Sequence, residues 1–294
     1  MKIAVLGPAY PLRGGIAQYT TLLASHLAAR HEIRLYSFAQ QYPARLFPGR
    51  SQIDPSAPLV QIEAQRWLTP WQPLSWRRVT RDWAAWQPDR LVLQWWVPFM
   101  APMSAWLLRT ARQRGVHSTL ICHNVLPHER GRLDERLVSG VLRRADRLIV
   151  HTQAEHDRAR ALLPQADIAV TPHPTYADFR SDQWTRAAAR ARLNVDGRVV
   201  LFFGLVRPYK GLIDLIDALP AVMKETDLTL LVVGEIWGKA APYHDRARAL
   251  GVADRVRFVD RYVSNDEAAM YFAAADLAVL PYREATGSGV LQLA

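Results

Sequence analysis

The sequence of 294 residues contains one cysteine, Cys122, and therefore offers no partner for a disulfide within the chain. A lone cysteine is typical of proteins from reducing compartments. The chain also starts without the charged, apolar and small-residue pattern of a secretory leader. Both absences favour a cytoplasmic protein.

Motifs that hold cofactors and metals are also missing. Neither G-x-G-x-x-G nor G-x-x-x-x-G-K-[ST] occurs, which excludes the usual NAD fingerprint and a P-loop. The 18 aspartates include no D-x-D pair, so the sequence shows no carboxylate pair for a metal that bridges a diphosphate. We therefore expect neither a cofactor nor a bound metal.

Lysine is scarce: of the 37 cationic side chains, 33 are arginine and only four are lysine. The formal net charge of +10 suggests a nucleic-acid partner. The cations are interspersed with acids and form no basic run, however, so phosphate ligands or an anionic membrane surface fit the excess at least as well. We expect no nucleic-acid partner; such a binder would show steep salt dependence.

One apolar run, residues 91–108, is long enough to suggest a transmembrane helix. Pro98 and Pro102 would interrupt that helix, and Gln94 would be stranded in lipid. We predict instead a buried strand, a loop and the start of a helix.

Short apolar segments alternate with helical patterns along the chain, and the alternation restarts at residue 198 with RVVLFFG. Strands that alternate with helices predict an α/β fold with doubly wound parallel sheets. We expect two Rossmann-like domains, residues 1–175 and 176–294, joined through the polar, proline-marked segment 173–184.

The two halves open with similar turns. LGPAYPLRGGI (residues 6–16) aligns without a gap with FGLVRPYKGLI (residues 203–213), pairing Gly14 with Gly211. Each turn leads from a strand into a helix, and ligands in such sheets lie at the carboxyl ends of the strands. Two such domains facing each other would put both turns on one cleft.

Two cations, Arg207 and Lys210, lie in the second of these turns. A helix N-terminus offers unpaired N–H groups and a partial positive charge to an anion. Arg207 adds a planar fork and Lys210 a compact point charge, a combination that suits a diphosphate. The alternative is that both are solvated turn residues.

A comparable turn follows the last predicted strand, where Glu284 precedes Gly287, Ser288 and Gly289. Small residues let backbone amides approach a phosphate, and a carboxylate ahead of them accepts hydrogen bonds from sugar hydroxyls. Taken alone, the segment fits a generic turn with a surface glutamate equally well.

In combination these motifs resemble a known family. GGI after the first strand, RPYKG after RVVLFFG, VVGE after the next strand and EATGSGVLQ near the end are similar to the retaining glycosyltransferases of family four, which have the GT-B fold and use nucleotide-sugar donors. The resemblance covers essentially the whole chain. It implies transfer of a sugar to a glycan or a lipid-linked acceptor with retained anomeric configuration. Where the family has a second glutamate, this sequence has Gln292.

The resemblance also assigns residues. The catalytic candidates are Glu284, His123, Arg207 and Lys210, with His128 as a weaker second histidine. The donor-binding candidates, expected along the diphosphate, sugar and nucleoside, are Gly14, Gly15, Gly204, Arg207, Lys210, Tyr262, Val263, Glu284, Gly287, Ser288, Gly289, Val290 and Gln292. Without the resemblance, a lone histidine at a strand end is more often structural, and we interpret His151, His156 and His173 in that way because no metal-ligand spacing links them to carboxylates or cysteine.

Other interpretations stay open. Gln292, together with a chain end at what should be the start of a helix, also fits a non-transferring GT-B protein such as a nucleotide-sugar epimerase or a binding subunit, with an incomplete second domain. Residues 67–86 mix tryptophan with arginine, which suits peripheral contact with an anionic membrane. Packing of Trp83 and Trp86 into the core is the alternative.

Overall fold

The computed structural model describes residues 1–43, 45, 47, 49–126, 134–175, 184–283, 289–291 and 293. The chain forms two compact units. The first comprises Met1–Phe47, Gln52–Asp54 and Pro58–His173, and the second comprises Pro48–Ser51, Pro55–Ala57 and Pro174–Ala294.

The first unit contains strands β1 to β7 and helices α1 to α5. Its strands are β1 (Lys2–Leu6), β2 (Glu32–Phe38), β3 (Ala64–Leu68), β4 (Arg90–Trp95), β5 (His117–Cys122), β6 (Arg147–Val150) and β7 (Ile168–Val170). Its helices are α1 (Gly15–Ala28), α2 (Pro73–Trp86), α3 (Ala101–Gln113), α4 (Asp134–Leu142) and α5 (Gln153–Leu162). The strands form one parallel sheet in the order β3-β2-β1-β4-β5-β6-β7.

The second unit contains strands β8 to β11 and helices α6 to α9. Its strands are β8 (Arg198–Phe203), β9 (Leu228–Val233), β10 (Val256–Val259) and β11 (Leu277–Ala278). Its helices are α6 (Arg186–Leu193), α7 (Leu212–Val222), α8 (Ala241–Ala249) and α9 (Asn265–Ala274). The four strands pair in parallel in the order β10-β9-β8-β11.

The sheet of each unit is covered by apolar side chains on both faces. In β1, Ile3 and Val5 belong to one buried cluster, whereas Ala4 and Leu6 belong to another. In β9 every residue is buried, and alternate residues enter different clusters in the same way. Strands that are covered on both faces are typical of parallel α/β sheets, so the predicted doubly wound architecture is confirmed in both units.

The apolar run at residues 91–108 divides as predicted. It supplies most of β4, a short 3-10 turn at Pro98–Met100 and the first turns of α3, with Pro102 in the first turn of the helix. Within the part of the chain that the structure describes, no helix has the length and apolar character needed to cross a membrane.

The tryptophans of α2 are core residues, as the alternative interpretation held. Trp76, Trp83 and Trp86 are 8%, 1% and 5% exposed. The indole N–H of Trp86 donates to the Glu32 carboxylate (2.6 Å), and that of Trp76 donates to the Thr69 carbonyl (3.0 Å). The three rings therefore fill the first unit, and those of Trp76 and Trp86 place their polar edges on partners.

Candidate active site

The turn after β8 leads into helix α7 through a left-handed glycine. A single 3-10 turn, Pro208–Lys210, follows the strand, and Gly211 then adopts φ 71° as the N-cap of α7. A Cβ on Gly211 would lie 2.0 Å from the carbonyl oxygen of Pro281. Both the left-handed backbone and the close approach require glycine, and together they fix the turn against the segment that follows β11.

Lys210 points inward from this turn. Its side chain is 8% exposed, and Nζ lies 5.3 Å from the centroid of the Tyr282 ring. Burial, with a further contribution from the positive charge of Arg207, lowers the pKa of Lys210 to about 8. Burying a lysine beside a second cation costs free energy that a purely structural residue seldom imposes. The arrangement therefore favours a site that receives an anion.

Arg207 lies at the same turn, three residues earlier. Its Cζ is 5.3 Å from the centroid of the Trp237 ring and 5.5 Å from that of Tyr209. Stacking on aromatic faces restricts the guanidinium and keeps its planar fork in one orientation. The structure therefore brings together the two cations that sequence analysis singled out.

Gly204 connects this turn with the end of the chain. It has φ 101°, and a Cβ at this position would lie 3.2 Å from both Lys210 Nζ and Val290 Cγ2. Val290 is thereby placed close to Lys210, and Gly289 adjoins it in the chain. Glu284, Gly287, Ser288 and Gln292, together with His128, lie outside the described residues.

Tyr262 and Val263 follow β10, two strands away from β8 in the sheet. Val263 is 7% exposed and packs in the core with Val233 and Tyr271, while Tyr262 is half-buried. The Val263 side chain thus belongs to the core, and the contact with a base stays a prediction for its backbone.

In the first unit, Gly14 is likewise a glycine N-cap with positive φ, but its backbone is extended (φ 106°, ψ 160°) where that of Gly211 is left-handed helical (φ 71°, ψ 23°). No described residue comes within 4 Å of a Cβ built on Gly14 or Gly15. The repeat predicted from sequence therefore exists as two glycine-capped strand-to-helix turns. The turn of the first unit has open space beside its glycines, whereas Gly211 is closed by backbone.

His123 follows β5 directly and hydrogen-bonds through Nε2 to the Gln94 side-chain oxygen (2.8 Å). Burial, together with the nearby histidines 151 and 173, holds the pKa of His123 well below its usual range. The candidate histidine is therefore a neutral imidazole at pH 7, able to donate one hydrogen bond and to accept another.

The surroundings of His123 were not predicted. His151 and His173, interpreted from the sequence as structural or surface residues, pack in contact with Tyr19 of α1, as His123 does. Gln94 was considered only as a polar residue in an apolar run, yet it is 1% exposed and holds His123. Among the described residues, no group of three or more histidine, cysteine or carboxylate side chains is arranged to hold a metal ion.

Comparison with known proteins agrees with this geometry. Residues 14–174 match the family described as glycosyl transferase 4-like domain, and residues 197–293 match glycosyl transferases group 1. The D-inositol 3-phosphate glycosyltransferase of Corynebacterium efficiens is 34% identical over 149 residues, covering 48% of this chain and 33% of that protein. The D-inositol 3-phosphate glycosyltransferase 1 of Catenulispora acidiphila is 34% identical over 199 residues, covering 60% of this chain and 47% of that protein. The chain thus spans about a third to a half of the length of the curated relatives it matches.

Solved structures share the fold. Sucrose-phosphate synthase from Thermosynechococcus elongatus superimposes with a TM-score of 0.75 at 19% identity, covering 98% of this chain and 77% of that one. Anabaena HepE in complex with UDP-glucose gives a TM-score of 0.65 at 20% identity, with coverages of 95% and 73%. Three findings point to the same family: the two parallel-sheet units, the glycine-capped turn in each, and the family matches over both units. The chain belongs to the glycosyltransferases of family four, the glycosyl transferases group 1, and has the GT-B fold.

Proposed function

We propose that the protein transfers a sugar from a nucleoside-diphosphate sugar to an acceptor hydroxyl, with retention of the anomeric configuration. The observation that supports this proposal most strongly is the buried Lys210 beside Arg207 in the turn closed by Gly211. The HepE complex with UDP-glucose favours a uridine nucleotide as the first donor to test.

The chemistry follows from the charges. Transfer breaks the bond between the anomeric carbon and the diphosphate oxygen, forms a bond from that carbon to the acceptor oxygen, and releases the acceptor proton. Negative charge grows on the departing diphosphate, and two cations already fixed in a partly dry site stabilise that charge without reorganising. No metal enters this scheme, because Arg207 and Lys210 supply the positive charge.

Further roles carry over from the family resemblance. Glu284 would contact the transferred sugar, Gln292 would hydrogen-bond the ribose as an uncharged donor and acceptor, and Gly14 and Gly15 would approach the donor phosphate. His123, neutral at pH 7, would contact the donor sugar or the acceptor. The proposed acceptor is a glycan, a lipid-linked glycan or, by analogy with the named relatives, a phosphorylated polyol.

Peripheral contact with an anionic membrane is a further proposal, supported by the outer face of α2. Leu74 is 76% exposed and Trp71, just before the helix, is 37% exposed. The exposed arginines 77 and 81 flank them. Apolar tips beside arginines suit the headgroup region of an anionic bilayer.

The experiment that tests transfer incubates the protein with a UDP-sugar and candidate acceptors and follows both UDP release and the NMR coupling constant of the new anomeric proton. Acceptor-dependent UDP release with the anomeric configuration of the donor supports the proposal; inverted product contradicts retention. The alternative, a non-transferring protein, is favoured by Gln292 and would either interconvert the nucleotide sugar without an acceptor or bind it without release.

A further inference from the structure

Three histidines of the first unit meet at the carboxyl edge of its sheet. His123 and His151 immediately follow β5 and β6, and His173 comes three residues after β7, three adjacent strands of the sheet. The His151 ring centroid lies 5.2 Å from that of His123 and 5.1 Å from that of His173. Tyr19 of α1 packs against all three rings at 4.9 to 5.4 Å. We call these four side chains the histidine cluster.

The hydrogen bond that His151 makes fixes its tautomer. Its Nδ1 lies 2.9 Å from the carbonyl oxygen of Thr171. A carbonyl oxygen only accepts, so Nδ1 must carry the proton and donate it. In the neutral imidazole the other nitrogen, Nε2, then carries a lone pair and is a hydrogen-bond acceptor.

That acceptor is buried without a donor. His151 is 9% exposed, and no described residue hydrogen-bonds to its Nε2. Buried polar atoms in native proteins are almost always paired with protein, water or ligand. A lone pair at the carboxyl edge of a parallel sheet, where ligands of this architecture bind, points to a ligand group that donates a hydrogen bond.

We propose that His151 Nε2 accepts a hydrogen bond from a hydroxyl group of the sugar or polyol acceptor, and that the histidine cluster is a hydroxyl-binding subsite of the first unit. This inference rests on the proposed transfer reaction. The cluster suits such a ligand because neutral imidazoles offer both N–H groups and lone pairs, as sugar hydroxyls do, and the Tyr19 ring supplies an apolar face.

The surroundings keep His123 and His151 neutral. Burial lowers the pKa of His151, and burial together with the neighbouring rings lowers that of His123. Among the described residues, the titratable groups that face the cluster are Tyr19 from α1 and the histidines themselves, while Gln94 from β4, which bonds His123, is uncharged. The carboxylate of Glu155 on α5 accepts from the Val125 N–H and pairs with Arg158. No described carboxylate therefore contacts the rings to stabilise an imidazolium, and the lone pair persists through neutral pH.

Imidazole NMR tests the proposal on the full chain labelled with 15N at its histidines. The probes are glucose, galactose, mannose and myo-inositol, each titrated at pH 7.5. We expect His151 Nε2 to resonate as an unprotonated nitrogen and to shift upfield, with saturation, for at least one probe. His26 is the matched control, because its Nδ1 also bonds a backbone carbonyl, that of Leu22 at 2.8 Å, but its ring is exposed. His26 should not show a saturating shift.

Two variants distinguish the contribution of the acceptor atom to binding from an effect on folding. In His151→Asn the amide N–H takes the place of Nδ1 toward Thr171 while the ε acceptor is removed, so thermal stability should change little and the probe Kd should rise about 5- to 30-fold. In His151→Gln the amide oxygen reaches the ε position and should restore most of the affinity.

The outcomes are distinct. No saturating shift at His151 for any of the four probes, or equal affinity in wild type and His151→Asn, overturns the subsite. Nucleotide binding in the same samples, which depends on Arg207 and Lys210 in the second unit, reports separately on the proposed function. Failure of the subsite with intact nucleotide binding therefore leaves the transferase proposal standing.

Discussion

Lys210 places its ammonium group 5.3 Å from the centroid of the Tyr282 ring and is 8% exposed. The neighbouring charge that acts on it is also positive, the cation of Arg207. An aromatic face compensates an ammonium only in part. A diphosphate in this turn would supply the missing negative charge, and several consequences of that idea can be measured.

The affinity for a nucleoside diphosphate should depend on pH through Lys210. Its pKa of about 8 in the free protein is below the ordinary value, and a bound anion raises it. Affinity is therefore nearly full at pH 7 and falls as pH rises through 8, by about 30-fold between pH 7 and pH 9.5 if the bound lysine stays protonated. The ligand contributes little to this change, since its terminal phosphate ionises near pH 6.

Calorimetric titrations of UDP at half-unit pH intervals measure this dependence. Lys210→Arg, which stays charged throughout, should give a flat profile, and Lys210→Met should bind weakly at every pH. A wild-type profile as flat as that of Lys210→Arg would show that Lys210 does not titrate in this range.

The two glycine caps should respond differently to alanine. Gly211→Ala places a methyl group 2.0 Å from the Pro281 oxygen in a left-handed conformation, so the backbone must move. Gly14→Ala meets open space among the described residues, but its backbone (φ 106°, ψ 160°) is one that glycine alone adopts readily. Urea denaturation should show a loss of about 1 to 2 kcal/mol for Gly14→Ala and of more than about 3 kcal/mol for Gly211→Ala. Equal losses would mean that the approach of Pro281 is not a constraint.

The loss of stability on substituting a tryptophan near α2 should depend on how deeply that tryptophan is buried. Trp83 is 1% exposed and Trp71 is 37% exposed. Trp83→Ala removes a buried ring and should lower the free energy of unfolding by about 3 to 5 kcal/mol. Trp71→Ala should change it by less than about 1 kcal/mol. Denaturation followed by far-UV circular dichroism compares the two, and a small loss at Trp83 would contradict its place in the core.

Membrane contact through α2 makes a separate prediction. The protein should float with vesicles that contain phosphatidylglycerol and not with pure phosphatidylcholine, and the binding should weaken as salt rises. Arg77→Gln/Arg81→Gln should reduce flotation, whereas Arg109→Gln, an exposed arginine on α3, is the control. Arg78 is left intact because its guanidinium stacks 4.1 Å from the Trp67 ring. Unchanged flotation of the double variant would show that these arginines of α2 do not contact the membrane.

Local patterns were sufficient to predict much of the fold and the turn that carries Arg207 and Lys210. The uninterrupted apolar strand RVVLFFG, the glycine at 211 and the two cations between them are adjacent in sequence, and the structure keeps them adjacent. Elements with weak patterns were missed. β2 carries Arg34 in mid-strand, β3 has a single fully buried residue, and α6 is a short polar helix.

The histidine cluster could not be predicted in the same way. His123, His151 and His173 are separated by more than 20 residues each, and only the strand order β5-β6-β7 makes them neighbours. Burial then changes their chemistry, because desolvation lowers the pKa of His123 and His151, and a sequence does not display desolvation. Each histidine taken singly resembles a structural residue.

Calorimetry of nucleotide binding tests the central claim, that Arg207 and Lys210 hold a donor diphosphate, most directly. UDP, GDP and ADP are titrated at pH 7 into the wild type, Arg207→Ala/Lys210→Met and the control Arg246→Ala, whose guanidinium pairs with Asp217 on the surface. The account predicts that one nucleotide binds, that the control retains it, and that the double variant loses at least about 100-fold in affinity. Equal binding by the double variant, or no binding of any nucleotide by the folded wild type, would contradict it.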